Sequence, residues 1–101
     1  MSPTARSLAL VRKTGWLADV VEYYNHYSRK RHDMFQLFDI VAVRPGQIAF
    51  IQTTTKSNLS ARRKKIKTHP DIDIVRKCGA MLILHGWYKV GRKWECKIEE
   101  L

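Results

Sequence analysis

The sequence predicts an α/β protein in which one mixed sheet carries helices on its faces. Two runs rich in β-branched and aromatic residues, 35–43 and 47–55, flank the turn sequence Arg44-Pro45-Gly46-Gln47. Proline presets φ for the second position of a tight turn and glycine accepts a positive φ at the third, so the two runs form a hairpin. Helix-start signals at Ser2-Pro3 and at Ser57-Asn58 place helices before and after this hairpin.

The first predicted element is a helix. Ser2 is a good capping residue, Pro3 suits the first helical position, and Gly15 is a natural stop. Between them, Ala5 and Leu8 begin an apolar stripe at helical spacing. The helix contains no acidic residue, so it can bring no carboxylate to a site.

A strand is predicted next, over residues 16–24. Its two acids, Asp19 and Glu22, have opposite parity, so a regular strand places them on opposite faces. We expect Glu22 to face a site, because it falls late in the strand and shares parity with Val20. An ordinary solvent-exposed strand acid is the alternative.

The polar stretch 25–32 lacks periodicity and predicts a loop. It combines the consecutive cations Arg29, Lys30 and Arg31 with the aromatic residue Tyr27. Cations interleaved with aromatic side chains are typical of contacts to a nucleic-acid backbone. A solvated, mobile loop is the alternative, and the net charge of the chain favours nucleic-acid binding over it.

The hairpin sets the register of the central polar residues. If the residues that flank the Pro-Gly corner face each other, Asp39 faces Gln52. The alternation of strand side chains then places Gln52, Thr54 and Lys56 on one face, at one end of the hairpin. A bulge at the corner would shift this register by one residue.

Asp39 is a lone acid within an apolar run and needs an explanation. A buried carboxylate is costly unless it is paired, hydrogen-bonded or bound to a cation. Asp39 therefore indicates a polar site, or else it lies at an exposed strand start or pairs with a nearby arginine. Spacing alone does not favour either interpretation over the other.

The second half of the chain predicts two helices and two strands. The first helix follows an N-cap at Ser57 or Asn58, and its amino end lies beside the polar end of the hairpin, where backbone amides attract phosphate. A short helix is expected near Pro70, then a buried strand over 80–84 and a half-buried edge strand over 92–98. The last three residues are expected to fray.

The longer of these helices carries a basic run. Leu59 and Ile66 mark its buried side. The four cations of the run spread around most of the circumference at ~100° per residue, so at least two must face solvent. The predicted nucleic-acid-binding residues of this segment are Lys56, Ser57, Arg62, Arg63, Lys64 and Lys65.

Composition points to a polyanionic partner. The chain has 19 basic and 9 acidic residues and a formal charge of +10, which favours nucleic acid first and an anionic membrane second. Its 101 residues, 45% of them apolar, suit a single domain over 1–101. No run is long enough to span a membrane, and no apolar signal segment is present. Cys78 and Cys96 make no metal motif, so free thiols in a cytoplasmic protein are expected.

The polar pattern of the hairpin resembles the PD-(D/E)XK nuclease superfamily, and within it the small Holliday-junction-resolvase-like nucleases of phages and archaea. That family has a strand with an Asp, a tight turn, a strand with Glu-x-Lys, and a helix. Here F-D-I-V-A-V supplies the Asp as Asp39, and I-Q-T-T-T-K aligns with the Glu-x-Lys strand. The predicted order of elements, helix–three strands–helix–strand with an extra C-terminal strand, is similar to the restriction-endonuclease-like core of that family.

The resemblance implies a metal-dependent DNA endonuclease that hydrolyses phosphodiesters. Mg²⁺ or Mn²⁺ would be held by Asp39 and by Gln52, which stands at the family's Glu position, with the Thr53 carbonyl beside it. Glutamine offers an oxygen without negative charge, so weaker metal binding is expected. The implied substrate is duplex or branched DNA. The implied assembly is a homodimer that cuts two strands, with an aromatic surface from Trp87, Tyr88 and Trp94.

Two positions depart from the family motif. Thr54 stands at the family's Lys position and cannot supply an ammonium, so Lys56, on the same strand face, is expected to take that role in preference to Thr54. Glu22 would add a second carboxylate. Two alternatives stay open: a catalytically inactive DNA-binding domain of the same fold, which the changes at Gln52 and Thr54 support, and a basic RNA-binding domain, which charge alone supports.

Overall fold

A computed structural model describes residues 1–101 as an α+β fold with one five-stranded mixed sheet and one two-stranded ribbon. The helices are α1 (Pro3–Lys13), α2 (Leu59–Lys67) and α3 (Ile72–Lys77). The strands are β1 (Leu17–Val20), β2 (Tyr23–Asn25), β3 (Lys30–His32), β4 (Ile40–Arg44), β5 (Gln47–Thr55), β6 (Met81–Val90) and β7 (Lys93–Glu100). The main sheet has the order β1-β4-β5-β6-β7, in which only β5 and β6 are parallel. The predicted mixed sheet with helices is confirmed.

The first helix begins and ends where its sequence signals lie. Ser2 caps α1, because its Oγ accepts a hydrogen bond from the Ala5 N–H at 3.1 Å, and Pro3 occupies the first helical position. Gly15 follows the helix with a φ of +94°, a conformation that favours glycine. The helix buries Ser7 and Val11, which sets its contact face.

A hydrophobic core covers each face of the sheet. On one face, α1 contributes Val11 to a cluster with Ala18, Ile40, Ala42, Ala49 and Ile51. On the other face, α2 and α3 pack over a second cluster, formed by Leu37, Phe38, Leu59, Ile66, Ile72, Val75, Leu82 and Leu84. Sequence neighbours such as Phe50 and Ile51 contact different clusters, as the alternation of strand side chains requires.

The central hairpin has the register that the Pro-Gly turn predicts. Arg44 pairs with Gln47 and Val41 pairs with Phe50, with no bulge between β4 and β5. Gly46 has a φ of +75°, as its position in the turn requires. Register is thus set by the turn itself.

The predicted strand over 35–43 was wrong in its first half. β4 begins only at Ile40, and residues 34–38 form a tight loop. Phe35 and Gln36 have φ values of 58° and 60°, and the N–H groups of Leu37 and Phe38 both donate to the Met34 carbonyl. Leu37 and Phe38 of this loop are buried without being extended, so the apolar run had the composition of a strand without its conformation.

The region 16–32 also differs from its prediction. β1 stops at Val20, and the predicted loop 25–32 is instead part of a hairpin, in which β2 pairs with β3. The Asn25 side chain closes the connection, because its Oδ1 accepts hydrogen bonds from the N–H groups of Tyr27 and Ser28 at 2.9 and 3.2 Å. We refer to residues 23–32 as the aromatic ribbon.

The C-terminal region is more ordered than its sequence predicts. β6 continues to Val90, so Trp87 lies within a strand and is buried rather than exposed. The expected aromatic dimer surface is therefore wrong at this position. Leu101 does not fray, because its N–H donates to the Leu82 carbonyl at 2.8 Å and its side chain packs against the core.

The cysteines form no disulfide. Cys78 is exposed and Cys96 is half-buried, and both are free thiols as predicted. Burial raises the pKa of the Cys96 thiol to about 11, so this side chain stays protonated at neutral pH. None of the helices has the length and apolarity needed to cross a membrane.

Candidate active-site cleft

Six segments meet at one open cleft of about 340 Å³. They are the amino end of α1, the link between β1 and the ribbon, strand β3, the segment before β4, the carboxyl end of β5, and helix α2. The lining is polar throughout, apart from the ring of Pro3. Its residues are Ser2, Pro3, Thr4, Glu22, Arg31, Asp33, Asp39, Gln52, Thr53, Thr54, Thr55 and Arg62.

Asp39 is held in a fixed position at the base of this cleft. It is 4% exposed, and its Oδ2 accepts hydrogen bonds from Gln52 Nε2 and the Thr53 N–H, both at 2.8 Å, and from Thr53 Oγ1 at 3.3 Å. Its backbone N–H donates to Ile51 and its carbonyl accepts from Val21, both at 2.8 Å. The structure thus brings the Asp39 and Gln52 side chains into contact, and backbone bonds on both sides orient the carboxylate.

Gln52 has one polar atom without a partner. The residue is 3% exposed, its Nε2 donates to Asp39, and its Oε1 has no hydrogen-bond partner. The amide orientation follows from Asp39, since an oxygen turned toward that carboxylate would be repelled. Leaving a buried acceptor unsatisfied costs about 1–3 kcal/mol. No protein group therefore competes for this oxygen, which is available to accept a hydrogen bond or to bind a cation.

Glu22 lies in the cleft beside Asp39. Its Oε1 accepts a hydrogen bond from Thr4 Oγ1 at 3.4 Å and lies 3.8 Å from Arg31 Nη1. Burial raises the pKa of the Glu22 carboxyl, and the negative charge of Asp39 raises it further. Asp19, the other acid of this region, is exposed and pairs with Arg12. The structure therefore places Glu22, and not Asp19, at the polar end of the hairpin.

Asp33 is a third carboxylate of the cleft, and sequence reasoning missed it. Burial raises its pKa, with a further contribution from Asp39, while Lys65 and Arg62 act in the opposite direction. The residue lies just after the aromatic ribbon and just before the loop 34–38, two segments whose conformation was predicted incorrectly. The sequence contained no independent signal that would turn Asp33 toward Asp39.

The amino end of α1 forms one wall of the cleft. Thr4 Oγ1 shares a hydrogen bond with Thr53 Oγ1 at 3.0 Å, which joins the helix to β5. The first helix provides no carboxylate, as predicted, but it directs the positive end of its dipole at Glu22 and Asp39. A dipole of this sign stabilises negative charge.

Of the cations predicted to bind nucleic acid, two lie at the cleft. Arg31 and Arg62 line it, whereas Lys56 does not. β5 ends at Thr55 and a 3₁₀ turn begins at Lys56, so that its Nζ lies 4.4 Å from the centre of the Tyr88 ring. The expectation that Lys56 reaches the Asp39 site is wrong in this geometry, since the turn directs its side chain away and a cation–π contact holds it there.

The remaining basic residues fall into two groups. Arg63 is engaged, because its Nε and Nη2 donate to the two carboxylate oxygens of Glu99 at 2.8 and 2.6 Å. This pair ties α2 to β7 and removes Arg63 from the predicted nucleic-acid surface. Ser57 Oγ lies 3.1 Å from Thr55 Oγ1, at the cleft margin. The other four cations of the predicted surface are exposed; they are Arg29, Lys30, Lys64 and Lys65.

The donor set of the cleft is one of oxygens. No three acidic, histidine or cysteine side chains lie close enough together to form a metal site by themselves. The groups that could hold a cation are the carboxylates of Asp39 and Glu22 and the free Oε1 of Gln52. Mg²⁺ commonly takes only one or two protein carboxylates and completes its shell with water and substrate phosphate, so this set fits such an ion.

Comparison of the chain with protein-family models, with curated proteins and with solved structures found no match. The function must therefore be argued from the cleft. Its base can attract a hard cation through carboxylate and amide oxygens, and its rim can attract an anion through two arginines. Adjacent sites for a cation and for an anion are what chemistry on a phosphate ester requires.

Proposed function

We propose that the protein is a metal-dependent DNA endonuclease, selective for branched DNA, on a restriction-endonuclease-like core. The observation that carries the proposal is the contact between the buried Asp39 carboxylate and the amide nitrogen of the buried Gln52, a cleft residue whose amide oxygen Oε1 has no partner within the protein. The formal charge of +10 supports a polyanionic substrate.

Mg²⁺ or Mn²⁺ would be held by Asp39, Glu22 and the Oε1 of Gln52. The Thr53 N–H points to Asp39, and in an extended strand the carbonyl of a residue faces the same side as its N–H, so the Thr53 carbonyl is the remaining candidate ligand. Such an ion supplies Lewis-acid activation of the scissile phosphate. It would also relieve the repulsion that raises the pKa of Glu22.

The side chains of the cleft divide the remaining work. Arg31 and Arg62 bind the phosphate and stabilise the charge that develops on it. Arg62 thereby takes the role that the resemblance assigns to a lysine and that Lys56 is not placed to fill.

The test is divalent-dependent cleavage of branched, duplex and single-stranded DNA by wild type and by Asp39→Asn. Asparagine has nearly the same shape and removes the charge, so we expect a loss of more than ~100-fold, because even indirect partners of a metal contribute 10–100-fold. Asp19→Asn is the matched control, since it removes the same charge from an exposed position. Unchanged cleavage by Asp39→Asn would refute the proposal.

A DNA-binding module without catalysis is the second candidate. The bonds that Asp39 Oδ2 already receives from Gln52 and Thr53 favour it, because they satisfy the carboxylate without a metal. This candidate predicts tight, salt-sensitive binding and no cleavage with Mg²⁺ or Mn²⁺ at any concentration. A basic RNA-binding domain would instead prefer structured or single-stranded RNA to branched DNA.

A further inference from the structure

The aromatic ribbon is separate from the main sheet and unusually rich in exposed rings. β2 and β3 pair only with each other. The ribbon holds three of the four tyrosines of the chain, Tyr23, Tyr24 and Tyr27, with exposures of 61, 49 and 101%. Several large rings held outside the core on one small hairpin mark an interaction surface more often than a structural one.

The two faces of the ribbon differ. Tyr24 pairs with Arg31, so the two side chains share a face, and Arg31 lines the cleft beside Glu22. Tyr23 lies on the opposite face, where its ring stacks on His32 with centroids 5.2 Å apart. Tyr24 is therefore the ring on the cleft side. It makes an edge-on contact with His26, with centroids 5.1 Å apart, whereas one face of the Tyr23 ring is covered by the stacked His32 ring.

The loop of the ribbon presents a ring and positive charge together. The Asn25 side chain closes the loop through the Tyr27 and Ser28 N–H groups, which leaves the Tyr27 ring fully exposed at the tip. Arg29, Lys30 and Arg31 follow, and residues 23–32 contain no acid. Exposed rings and adjacent cations are the two components of a surface that binds single-stranded nucleic acid.

We propose that the aromatic ribbon binds unpaired bases of DNA, with Tyr24 and Tyr27 as stacking partners, and so directs DNA with an unpaired segment to the cleft. This rests on the proposed function in placing DNA at the cleft. Bases in an intact duplex are stacked on one another and offer the two tyrosines no free ring face. Unpaired bases do, and the adjacent cations contact their phosphates.

The experiment measures binding in EDTA, where no cleavage occurs, by anisotropy of a forked DNA and of a fully paired duplex of equal length. Tyr24→Leu and Tyr27→Leu are each expected to weaken fork binding about tenfold, the loss of one stacked base, and to change duplex binding less than twofold. Tyr24→Phe keeps the ring and is expected to bind like wild type. Tyr23→Leu, on the opposite face, is the matched control and is expected to have little effect.

A second readout reports stacking directly. With 2-aminopurine in the unpaired arm, wild type is expected to change the fluorescence of the base, and Tyr24→Leu to reduce that change. Equal losses on fork and duplex, no loss in either tyrosine variant, or tighter binding of single-stranded RNA of the same sequence would overturn the inference. Thermal unfolding of each variant confirms that exposed substitutions leave the fold intact.

The outcomes separate this inference from the proposed nuclease. Tyrosine-dependent fork binding without Mg²⁺- or Mn²⁺-dependent cleavage would support the inference about the ribbon and refute the proposed endonuclease. Cleavage that requires neither an unpaired segment nor either tyrosine would support the endonuclease and refute the inference about the ribbon. Failure to bind any DNA would refute both.

Discussion

The carboxylates of Glu22 and Asp39 lie beside each other in the cleft, and their repulsion has a measurable effect on stability. The pKa of Glu22 is raised above its ordinary 4.5, mainly by burial and then by Asp39, so the folded state binds the Glu22 proton more tightly than the unfolded state does. Ionised Glu22 therefore lowers stability at neutral pH, and the penalty disappears as the pH falls toward 4.5. A bound cation would remove the same penalty.

We expect Glu22→Gln to raise the melting temperature at pH 7–8 without divalent ions, because it removes a buried charge and its repulsion with Asp39 and loses only a weak ion pair with the exposed Arg31. The same substitution should reduce the stabilisation that Mg²⁺ or Mn²⁺ gives to wild type. Melting curves with and without metal, beside Asp19→Asn, measure both effects. A lower melting temperature for Glu22→Gln at neutral pH without divalent ions would contradict this account.

His85 has the opposite dependence on pH. Burial lowers its pKa from 6.5 to about 4, and its Nδ1 shares a 2.9 Å hydrogen bond with Ser7 Oγ, which also accepts from Trp87 Nε1. The folded state resists protonation, so stability should fall as the pH drops from 6.5 toward 4, by roughly 3 kcal/mol.

Unfolding measured between pH 7 and pH 4 checks the His85 effect. His85→Asn keeps a polar atom near Ser7 but does not titrate, so its stability should depend less on pH than that of wild type. The comparison is repeated in proteins that also carry Glu22→Gln, because Glu22 changes stability with pH in the opposite direction. Parallel pH curves for His85→Asn and wild type would show that His85 is not the responsible group.

At the level of elements, the packing of α2 on β6 depends on the absence of a side chain at Gly86. A Cβ at this position would lie 2.5–2.7 Å from the Cγ and both Cδ atoms of Leu59, the first residue of α2. Gly86 pairs with Thr54 of β5, so a displaced α2 would also disturb the strand that forms the cleft wall.

We expect Gly86→Ala to lower the free energy of unfolding by about 1–3 kcal/mol, the usual cost of overpacking. Leu59→Ala removes the clashing atoms, so the double variant should be more stable than the sum of the two single effects predicts. Urea unfolding of the four proteins tests the coupling. Strict additivity would mean that the two positions do not contact each other.

The elements that the sequence predicted well are those with a local backbone signal. The Pro45-Gly46 corner set the β4–β5 register, and Ser2 set the start of α1. The aromatic ribbon was missed because its short strands have no apolar face and therefore no periodicity. The loop at 34–38 was missed because Phe35 and Gln36 adopt positive φ values that few side chains favour.

For the molecule as a whole, a formal charge of +10 makes salt the natural probe of DNA binding. Arg62 and Arg63 are sequence neighbours of the same charge, but Arg62 lines the cleft while Arg63 pairs with Glu99. We expect Arg62→Met to reduce the slope of log K against log salt by about 1, the contribution of one phosphate contact. Arg63→Met should leave the slope unchanged. Equal slope changes in the two variants would contradict the assignment.

The site was predictable only in part, because tertiary packing, which also separates the roles of Arg62 and Arg63, decides which side chains reach the cleft. Asp39 and Gln52 were found because the Pro-Gly turn fixes their pairing by local geometry, whereas Glu22 was chosen by parity within a strand that ends before it, at Val20. Asp33 and the choice of Arg62 among four consecutive cations depend on how α2 and the loop 34–38 dock over the sheet. Tertiary packing of this kind leaves no trace in residue spacing.

The first and last residues of the sequence lie at opposite ends of the parallel strands β5 and β6. Ser2 and Pro3 line the cleft, whereas Leu101 bonds to Leu82 near the start of β6. β5 and β6 are parallel, so the start of β6 lies far from the carboxyl end of β5. An affinity tag fused ahead of Met1 would lie at the mouth of the cleft and obstruct the entry of a ligand. Purification handles and surface tethers therefore belong after Leu101.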